Sequence, residues 1–544
     1  MKIQELNIPE KQHFTAAYLA DDPIATSFFD YDYKSRDTLK NRMDELHALT
    51  YPREPLASYF ERFNKRFFYT EHTARSIEKI KHPKGLAVVG GQQAGFMTGP
   101  LLALYKAISV ILYAKKAEDE LGIPVAPVFW IAGEDHDLDE INHVFVREGG
   151  VLKKKPLKQT GLSQSPASHF KLNHQEVDAL IDSVIRSFGE TPYTKDLLLS
   201  LKHDANKSRT FVEFFAHCMG RLFGEEGLLL LDSGDHDFKK MQSSFTAVLT
   251  EENERIHEAF ASGIHELECS GFPAPIDVQD GSTHLFYYDK DKRSLLYRDK
   301  EGMIKSKDGE LSFSVEKLKE LAEHEPEKLS NNVVTRPLMQ EWMLPVLSFI
   351  AGPGEIAYWA ALKNVFHIFG RKLPPVVPRL SFTIAGQKEM DDLTGLGITP
   401  ESLIASGLSK ERAKVVSSQK PDYYEDVLQA ATAQILEGHE AIRKMAVSIN
   451  PDLEHVSLYN QERILREIAY LQRKMEHRLR KKVKSPLSIL QNLELQLKPD
   501  GVLQERVFSP YEMINRYGPD FPRKLLSETL EFNGKHKWIW MHST

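Results

Sequence analysis

Residues 85–131 read GLAVVGGQQAGFMTGPLLALYKAISVILYAKKAEDELGIPVAPVFWI and decide the fold of this chain. A short apolar run at 85–89, typical of a buried strand, leads through a glycine-rich turn into a helical pattern at 101–120. A second apolar run follows at 124–131. Strand, glycine turn, helix and strand in this order predict a βαβ unit, and therefore a parallel sheet.

Further strands of the same sheet are predicted by three apolar runs, at 227–231, 344–350 and 376–384. The first two of them end in polar turns that contain glycine, as the strand at 85–89 does. Pro378 lies inside the third run, and because proline lacks a backbone N–H it indicates an edge strand or a bulge. The pattern as a whole predicts an α/β protein.

The segments around these runs have a different character. Residues 1–83 read as mostly helical, with aromatic and charged residues mixed. Residues 270–330 alternate polar and apolar positions around Asp-Lys and glycine turns, which predicts an antiparallel insertion. We therefore expect a core domain of residues 1–419, which starts with a helical segment and is interrupted by insertions at about 150–330.

A helical coiled coil is predicted over residues 420–495. Its first helix carries apolar and small residues at alternating steps of four and three: Tyr424, Leu428, Ala431, Ile435, Gly438, Ile442, Met445 and Ile449. A loop around 450–452 separates it from a second helix with its own apolar stripe, at Ile464, Ile468, Leu471, Met475 and Leu479, so the pair should be antiparallel. The apolar seam of the first helix is longer than contact with one partner helix requires, which predicts a homodimer. Residues 496–544 should pack back on the core.

Composition and charge argue against several classes of protein. A net charge of −7 gives no general attraction to nucleic acid or to an anionic membrane surface. The most apolar helical pattern is interrupted by Lys106, so no membrane span is expected. Two cysteines, Cys218 and Cys269, can build neither a disulfide framework nor a four-thiolate zinc site. Because the N-terminus also lacks the apolar stretch of a signal peptide, we expect a cytoplasmic protein.

The turn at residues 90–100 is the strongest candidate site. Glycines between a strand and a helix let the backbone approach a ligand, and the free N–H groups at the helix start favour phosphate or carboxylate. Ligands of open α/β sheets bind at the carboxyl ends of the strands, so Gln92, Gln93, Thr98 and Gly99 should line a site. The turn is neither a Walker loop nor a G-x-G-x-x-G fingerprint, and a tight turn that merely needs glycine is the alternative.

Acidic residues and histidines follow two of the predicted strands. The first cluster, at 133–137, includes Asp135 and His136, and a similar cluster lies at 233–237. Such side chains can hold a divalent metal, act as acid or base, or bind an amine, but they are also ordinary turn residues and helix N-caps. Glu355, in a glycine-containing turn before a helix, is a candidate for binding an ammonium group.

Four stretches resemble the BshC family, the cysteine ligases of bacillithiol biosynthesis. They are residues 90–146, 228–238 (LLLLDSGDHDF), 349–362 (FIAGPGEIAYWAAL) and 374–384 (PPVVPRLSFTI), and the likeness extends through the helical hairpin to cover in effect the whole chain. The resemblance implies a Rossmann-type core related to class I aminoacyl-tRNA synthetases. It also implies connecting-peptide insertions and a coiled-coil dimerisation domain.

The implied reaction is the last step of bacillithiol synthesis, in which cysteine joins the amine of glucosaminyl-malate through an amide bond. ATP would activate the cysteine carboxylate as an adenylate. The chain departs from the class I pattern, because residues 97–100 (MTGP) stand where a His-Ile-Gly-His signature would lie. Residues 381–384 (SFTI) likewise replace the Lys-Met-Ser-Lys-Ser loop. A metal site at Asp135, His136 and Asp137 is an alternative that the spacing does not require.

The candidate residues divide by role. The catalytic candidates are Thr98, Asp135 and His136, and the substrate-binding candidates, for cysteine and glucosaminyl-malate, are Gln92, Gln93, Gly99 and Glu355. The nucleotide-binding candidates, for ATP or ADP, are Ser381, Thr383, Arg506 and Tyr511. Two other functions stay open at this point: a metal-dependent phosphoesterase that uses the Asp-His-Asp clusters, and a non-catalytic, nucleotide-binding dimeric scaffold.

Overall fold

The computed structural model describes residues 1–135, 137–158, 166–289 and 292–541. The chain forms two compact units. Unit 1 comprises Met1–Gly386 together with the segment that begins at Val502, and unit 2 is Gln387–Gly501. No helix in the described part of the chain is long and apolar enough to cross a membrane.

The strands, in chain order, are β1 (Lys2–Leu6), β2 (Leu86–Gln92), β3 (Val125–Ile131), β4 (His143–Glu148), β5 (Val151–Pro156), β6 (Leu229–Asp232), β7 (Ser282–Asp289), β8 (Lys292–Arg298), β9 (Ile304–Ser306), β10 (Ser312–Phe313), β11 (Leu329–Asn331), β12 (Val346–Ala351), β13 (Val376–Pro378), β14 (Phe382–Gly386) and β15 (His536–Met541).

The helices of unit 1 that precede unit 2 are α1 (His13–Leu19), α2 (Pro23–Ser27), α3 (Thr38–His47), α4 (Arg53–Lys65), α5 (Glu71–Lys81), α6 (Leu101–Leu121), α7 (Leu138–Ile141), α8 (His174–Phe188), α9 (Thr194–Lys207), α10 (Phe211–Phe223), α11 (His236–Glu251), α12 (Asn253–Cys269), α13 (Val315–His324), α14 (Thr335–Met343), α15 (Pro353–Ala360) and α16 (Lys363–Ile368). Unit 2 contains α17 (Gln387–Gly395), α18 (Pro400–Ser406), α19 (Ser409–Ser417), α20 (Tyr424–Ile449), α21 (Leu453–Lys482) and α22 (Lys484–Leu497). Unit 1 resumes with α23 (Pro510–Tyr517) and α24 (Phe521–Leu526).

The core of unit 1 is a five-stranded sheet with the order β13-β12-β2-β3-β6, in which every neighbouring pair is parallel. β2, β3, β6 and β12 are almost wholly buried, as expected for a parallel sheet covered on both faces. When the five strands are numbered by their appearance in the chain and the sheet is read from β6 to β13, their order is 3-2-1-4-5. These are the first five positions of the Rossmann strand order 3-2-1-4-5-6. The predicted α/β fold with a parallel sheet is therefore confirmed.

The apolar run 376–384 forms two strands and not the single one predicted. β13 ends at Pro378 and lies at the edge of the central sheet, which is one of the two positions that proline indicated. β14 belongs to a different sheet, of order β1-β15-β14, where it runs parallel to β15. The chain thus leaves the central sheet after Pro378 and enters a different sheet at Phe382, four positions later.

The insertions lie between the strands of the central sheet. β4 and β5 form a hairpin after β3, and helices α8–α10 follow it before β6. Between β6 and β12 the chain forms a five-stranded antiparallel sheet, of order β10-β9-β8-β7-β11, as the alternating pattern of 270–330 predicted. The N-terminal segment contains five helices, but it begins with β1, which the sequence did not reveal. β1 pairs with β15, a strand more than 500 positions away.

Unit 2 contains the predicted helical hairpin. α20 and α21 run antiparallel, with a hydrogen bond of 3.1 Å between His439 Nε2 and Asn460 Oδ1. The predicted seam of α20 is buried or half-buried as far as Ile435, whereas Ile442, Met445 and Ile449 are exposed. The seam leaves the hairpin interface because a straight α-helix drifts relative to a heptad repeat.

Unit 2 is wider than the predicted domain of residues 420–495. Its helices α17–α19 precede the hairpin, and they pack with α22: Arg412 forms an ion pair of 2.5 Å with Glu494, and Lys498 Nζ donates to the carbonyl of Ile404 at 2.6 Å. The compact unit therefore begins at Gln387, thirty-odd residues before the heptad pattern does.

Candidate active site

A cavity of about 960 Å³ opens at the carboxyl ends of β2 and β12. Gln92 ends β2 and Gly352 follows β12, and both residues line the cavity. These two strands are neighbours, and their connections run in opposite directions across the sheet, so the cavity lies at the topological switch point. Ligands of open α/β sheets bind at this position, which makes the cavity the candidate active site.

Lys106 and Glu355 form a buried ion pair on the wall of this cavity. Lys106 Nζ lies 2.5 Å from Glu355 Oε2, and it also donates to the carbonyl of Gly91 at 2.7 Å. The side chain of Lys106 is 2% exposed and that of Glu355 is 22% exposed. Burial lowers the pKa of Lys106, and the nearby Glu355 carboxylate only partly offsets this effect. The ion pair therefore places a buried ammonium–carboxylate contact next to the end of β2.

Gln93 links two carboxylates on another part of the wall. Its Nε2 donates to Asp135 Oδ2 at 2.7 Å and to Glu140 Oε2 at 3.1 Å. Arg293 approaches Asp135 at 3.8 Å and is itself held by the carbonyl of Asn331 at 2.9 Å. These acids lie next to each other at the rim, so they can bind an ammonium group or accept a proton from one.

Arg336 is a cation of the cavity wall that contacts a hydroxyl group and, in the described part of the chain, not a carboxylate. It lies in the first turn of α14 and is half-buried, and its NH2 donates to the hydroxyl of Tyr358 at 2.8 Å. Among the residues that the structure describes, no carboxylate pairs with Arg336. Burial raises the pKa of Tyr358, so this hydroxyl stays protonated at neutral pH.

Arg379, the residue after β13, connects the cavity wall to a buried polar network. Its NH2 lies 2.5 Å from Glu505 Oε1, and the other oxygen of Glu505 accepts from Ser381 Oγ at 2.9 Å. Ser381 and Thr383 then bond the two ring nitrogens of His536, each at 2.8 Å. Although burial opposes ionisation, Arg379 keeps the pKa of Glu505 below its usual range, whereas burial lowers the pKa of His536 to about 4.

A second cavity of about 370 Å³ shares residues with the first one, including Gln92, Gln93 and Arg506. It is also lined by the turn between β2 and α6. In that turn Met97 and Thr98 adopt positive φ values of 51° and 64°, which is rare for a β-branched residue such as threonine. Strained backbone of this kind persists where the surrounding structure enforces it, and it clusters at functional sites.

The structure brings most of the predicted site residues to these two cavities. Gln92, Gln93, Asp135, Glu355 and Arg506 line the larger one, and Gln92, Gln93, Thr98, Gly99 and Arg506 line the smaller one. Three other candidates lie elsewhere. Ser381 and Thr383 belong to the network around His536, and Tyr511 lines a separate cavity together with Arg221. His136 lies outside the described residues.

The two acidic clusters have different surroundings. In the first, Glu134 forms a buried ion pair of 2.5 Å with Lys239, while Asp135 faces the cavity. In the second, Asp235 caps α11 by accepting from the backbone N–H of Asp237 at 3.0 Å. Asp235 therefore acts as the N-cap that the sequence offered as one role for this cluster. The described residues contain no group of three or more His, Cys, Asp or Glu side chains that could hold a metal ion.

Four cationic side chains of the larger cavity were not predicted from the sequence: Lys106, Arg293, Arg336 and Arg379. Lys106 gave a local signal, because a lysine within an otherwise apolar helix must find a buried partner. The arginines gave none, since each lies in a segment where an exposed arginine would be ordinary. Their convergence depends on the connections between distant strands.

Five parallel strands in the order 3-2-1-4-5, with a polar cavity at the switch point, define a Rossmann-like α/β protein with a candidate active site. Residues 1–380 match the family model described as "Bacillithiol biosynthesis BshC, N-terminal Rossmann-like domain". Residues 382–541 match "Bacillithiol biosynthesis BshC, C-terminal coiled-coil domain". The chain belongs to the BshC family of bacillithiol biosynthesis.

Curated relatives agree with this assignment over their full length. The chain is 37% identical over 542 residues to a protein of Geobacillus sp. (strain WCH70), and 38% identical over 544 residues to one of Geobacillus kaustophilus (strain HTA426). It is 33% identical over 539 residues to a protein of Bacillus cereus (strain Q1). Each alignment covers 99% of this chain and 100% of the relative, and each relative carries the name "Putative cysteine ligase BshC".

Proposed function

We propose that the chain is a ligase that joins the carboxyl group of cysteine to the amine of glucosaminyl-malate and so forms bacillithiol. The observation that carries this proposal is a large cavity at the switch point of a chain that matches the BshC family from end to end. The cavity has acidic and basic walls, which suits substrates that carry both ammonium and carboxylate groups. The sequence alternatives, a metal-dependent phosphoesterase and a scaffold, are not favoured by the relatives or by the described site.

The reaction forms a C–N bond and breaks a C–O bond of the cysteine carboxyl group. The attacking amine must lose its proton first, because an ammonium nitrogen has no free electron pair. Asp135 and Glu140, which Gln93 holds together, are the groups of this wall that can bind the ammonium and take the proton. Their position in the cavity, beside the Gln93 amide that contacts both carboxylates, supports this role.

A free carboxylate is a poor acyl donor, so the proposal includes ATP as the activating co-substrate. When bound, ATP would convert a carboxylate oxygen into a leaving group. Arg506 and the backbone turn at 95–99 line the smaller cavity next to the candidate active site, and they are suited to phosphate. Among the described residues Arg506 is exposed and has no carboxylate partner, which leaves its charge available.

We also propose that the protein acts as a homodimer in the cytoplasm. The support for dimerisation is the exposed apolar stripe of α20, where the side chains of Ile442, Met445 and Ile449 are 55–74% exposed. The support for a reducing compartment is that Cys218 and Cys269 are both free thiols.

The ligase assignment is tested by mass spectrometry of thiols from a strain that lacks this protein. We expect bacillithiol to disappear and glucosaminyl-malate to accumulate, and the wild-type chain to restore the thiol. Asp135→Asn and Gln93→Ala should fail to restore it, whereas Arg75→Met, on the exposed face of α5, should restore it fully. Unchanged bacillithiol in the deletion strain would overturn the assignment.

A further inference from the structure

Arg336 differs from the other buried cations of the candidate active site. Lys106 is neutralised by Glu355 and Arg379 by Glu505, each at 2.5 Å. Arg336 contacts the Tyr358 hydroxyl at 2.8 Å, and the described residues offer it no carboxylate. A half-buried guanidinium without a counterion is costly unless a ligand supplies the negative charge. Arg336 therefore marks a place where the ligand is anionic.

Tyr358 adds a second donor at the same place. Its oxygen accepts from Arg336 NH2, and among the described residues its own hydroxyl proton has no acceptor. Both side chains line the cavity. A planar guanidinium next to a free O–H matches the two oxygens of a carboxylate, because each oxygen can receive one hydrogen bond.

The position of Arg336 is fixed from behind by hydrogen bonds at the start of α14. Asn332 Oδ1 accepts from the backbone N–H groups of Val334 at 2.8 Å and Thr335 at 3.2 Å. Thr335 Oγ1 donates to the carbonyl of His284 at 2.8 Å, and the His284 ring contacts Asn332 Nδ2 at 3.2 Å. These hydrogen bonds hold the first turn of α14 in place, so the position of Arg336 is set before a ligand binds.

We propose that Arg336, together with the Tyr358 hydroxyl, binds a carboxylate of the malyl group and so selects the malate-bearing acceptor. This inference rests on the proposed ligase function and deepens it. The malyl carboxylates keep their charge through the reaction, which suits a permanently charged arginine on a rigid support. Such an interaction is equally strong in the ground state and the transition state, so it determines affinity and specificity more than the rate of the chemical step.

Two other anions fit this place less well. The cysteine carboxylate loses its charge when it is activated, so an arginine clamp on it would oppose the reaction. A nucleotide phosphate would approach the start of α15, but Glu355 already occupies that start, with its Oε2 accepting from the N–H of Gly352 at 2.7 Å. A phosphate there would meet the negative charge of Glu355.

The test is calorimetric titration of the full-length chain with three ligands: glucosaminyl-malate, methyl glucosaminide, which lacks the malyl group, and cysteine. We expect Arg336→Met to raise the Kd for glucosaminyl-malate about 10–100-fold, the usual effect of losing a charged hydrogen-bonded pair. The Kd values for methyl glucosaminide and cysteine should stay within about twofold. Arg336→Lys and Tyr358→Phe should give smaller increases for glucosaminyl-malate, since each removes part of the donor set.

Arg75→Met is the matched control, because it removes the same charge from a side chain that is 62% exposed on α5. It should leave all three Kd values unchanged. Thermal melting of each variant shows whether it is folded, and Tyr358→Phe keeps the test valid if Arg336→Met does not fold. Equal Kd values for glucosaminyl-malate in wild type and Arg336→Met, or an equal loss for cysteine, would overturn the malyl assignment. A wild-type chain that does not bind glucosaminyl-malate would instead overturn the proposed ligase function.

Discussion

Lys106 and Glu355 are 249 positions apart in the chain, and their charged groups meet at 2.5 Å beside the switch point of the sheet. Lys106 stands on α6, which follows β2, and Glu355 stands on α15, which follows β12. The same oxygen of Glu355 accepts from the N–H of Gly352, so the carboxylate also caps the start of α15. One ion pair therefore joins the two helices between which the candidate active site opens.

Glu355→Gln should destabilise the chain more than Lys106→Met does. Removing the carboxylate leaves the ammonium of Lys106 buried without a counterion, which costs about 3–5 kcal/mol. Removing the lysine leaves Glu355, which is 22% exposed and keeps its bond to Gly352, so the cost should be about 1–3 kcal/mol. Urea unfolding of both variants measures the difference.

The double variant Lys106→Met/Glu355→Gln provides the control. If the pair is coupled, its loss of stability should be smaller than the sum of the two single losses by about 1–3 kcal/mol. Additive losses would show that the two side chains act independently, which would contradict the ion pair.

Gly91→Ala and Gly354→Ala should behave in opposite ways, although both glycines line the larger cavity. A Cβ at Gly91 would lie 2.5 Å from the carbonyl oxygen of Trp130 on the neighbouring strand β3, and the backbone of a buried sheet cannot easily move away. We expect a loss of about 2–4 kcal/mol or an unfolded chain. A Cβ at Gly354 meets nothing within 4 Å, so this variant should melt close to the wild type. Equal melting temperatures for the two variants would contradict the close packing of β2 on β3.

Asp232 should make the chain less stable as the pH rises. Burial at the end of β6 raises the pKa of its carboxyl to about 7, whereas it is about 4 in an unfolded chain. The folded chain thus holds this proton more tightly, so the contribution is complete below pH 4 and is lost as the pH passes 7. Between pH 5 and 8 the free energy of unfolding should fall by about 3 kcal/mol in the wild type relative to Asp232→Asn. Parallel stability curves would rule out the raised pKa.

His536 should make the chain less stable as the pH falls, which is the opposite of the effect of Asp232. Burial lowers the pKa of its ring to about 4, below about 6.5 in the unfolded chain, so protonation favours unfolding. Its contribution is complete above pH 6.5 and is lost as the pH falls towards 4. His536→Gln keeps hydrogen-bonding groups for Ser381 and Thr383 but does not titrate. From pH 8 to 5 the wild type should therefore lose about 2 kcal/mol relative to this variant. A constant difference over that range would contradict burial of a neutral imidazole.

We expect the exposed end of the apolar seam of α20 to form the homodimer interface. We expect light scattering of the full-length chain at micromolar concentration to give the mass of two chains. Ile442→Glu and Met445→Glu should shift the equilibrium towards one chain, because a charge replaces an apolar side chain that is more than half exposed in the single chain and would be buried in the dimer. Leu199→Glu is the control: this side chain is 57% exposed on α9 of unit 1, and its variant should stay dimeric. If the full-length wild-type protein scatters light as a monomer, the homodimer proposal is wrong.

Local patterns in the sequence predicted much of the fold. The apolar runs predicted β2, β3, β6 and β12, because a strand buried on both faces is apolar throughout. The glycine turn predicted the start of α6, because helix starts also have a local sequence pattern. The limit of this approach is visible at 376–384, which looks like one strand and forms two. The chain leaves the sheet after Pro378 because β14 pairs with β15, and nothing near residue 382 in the sequence reveals that partner.

The candidate site was predicted in part. Gln92 ends a strand, and Gln93, Asp135 and Glu355 come shortly after one. Because the carboxyl ends of parallel strands share one edge, the sequence predicts that these residues lie together. Ser381, Thr383 and Tyr511 were assigned by the resemblance alone, and the structure places them outside the two cavities.

The sequence by itself determined the parallel sheet and the helical hairpin, and it predicted the edge of the sheet at which the larger cavity opens, since periodicity and turn chemistry act over a few residues. The tertiary structure alone decided which charges meet. It pairs Lys106 with Glu355 and Arg379 with Glu505, and it places Arg336 beside Tyr358, with no carboxylate partner in the part of the chain that the structure describes. These partners come from segments separated by long insertions. Their contacts depend on the order of strands in the sheet, which no short stretch of sequence specifies.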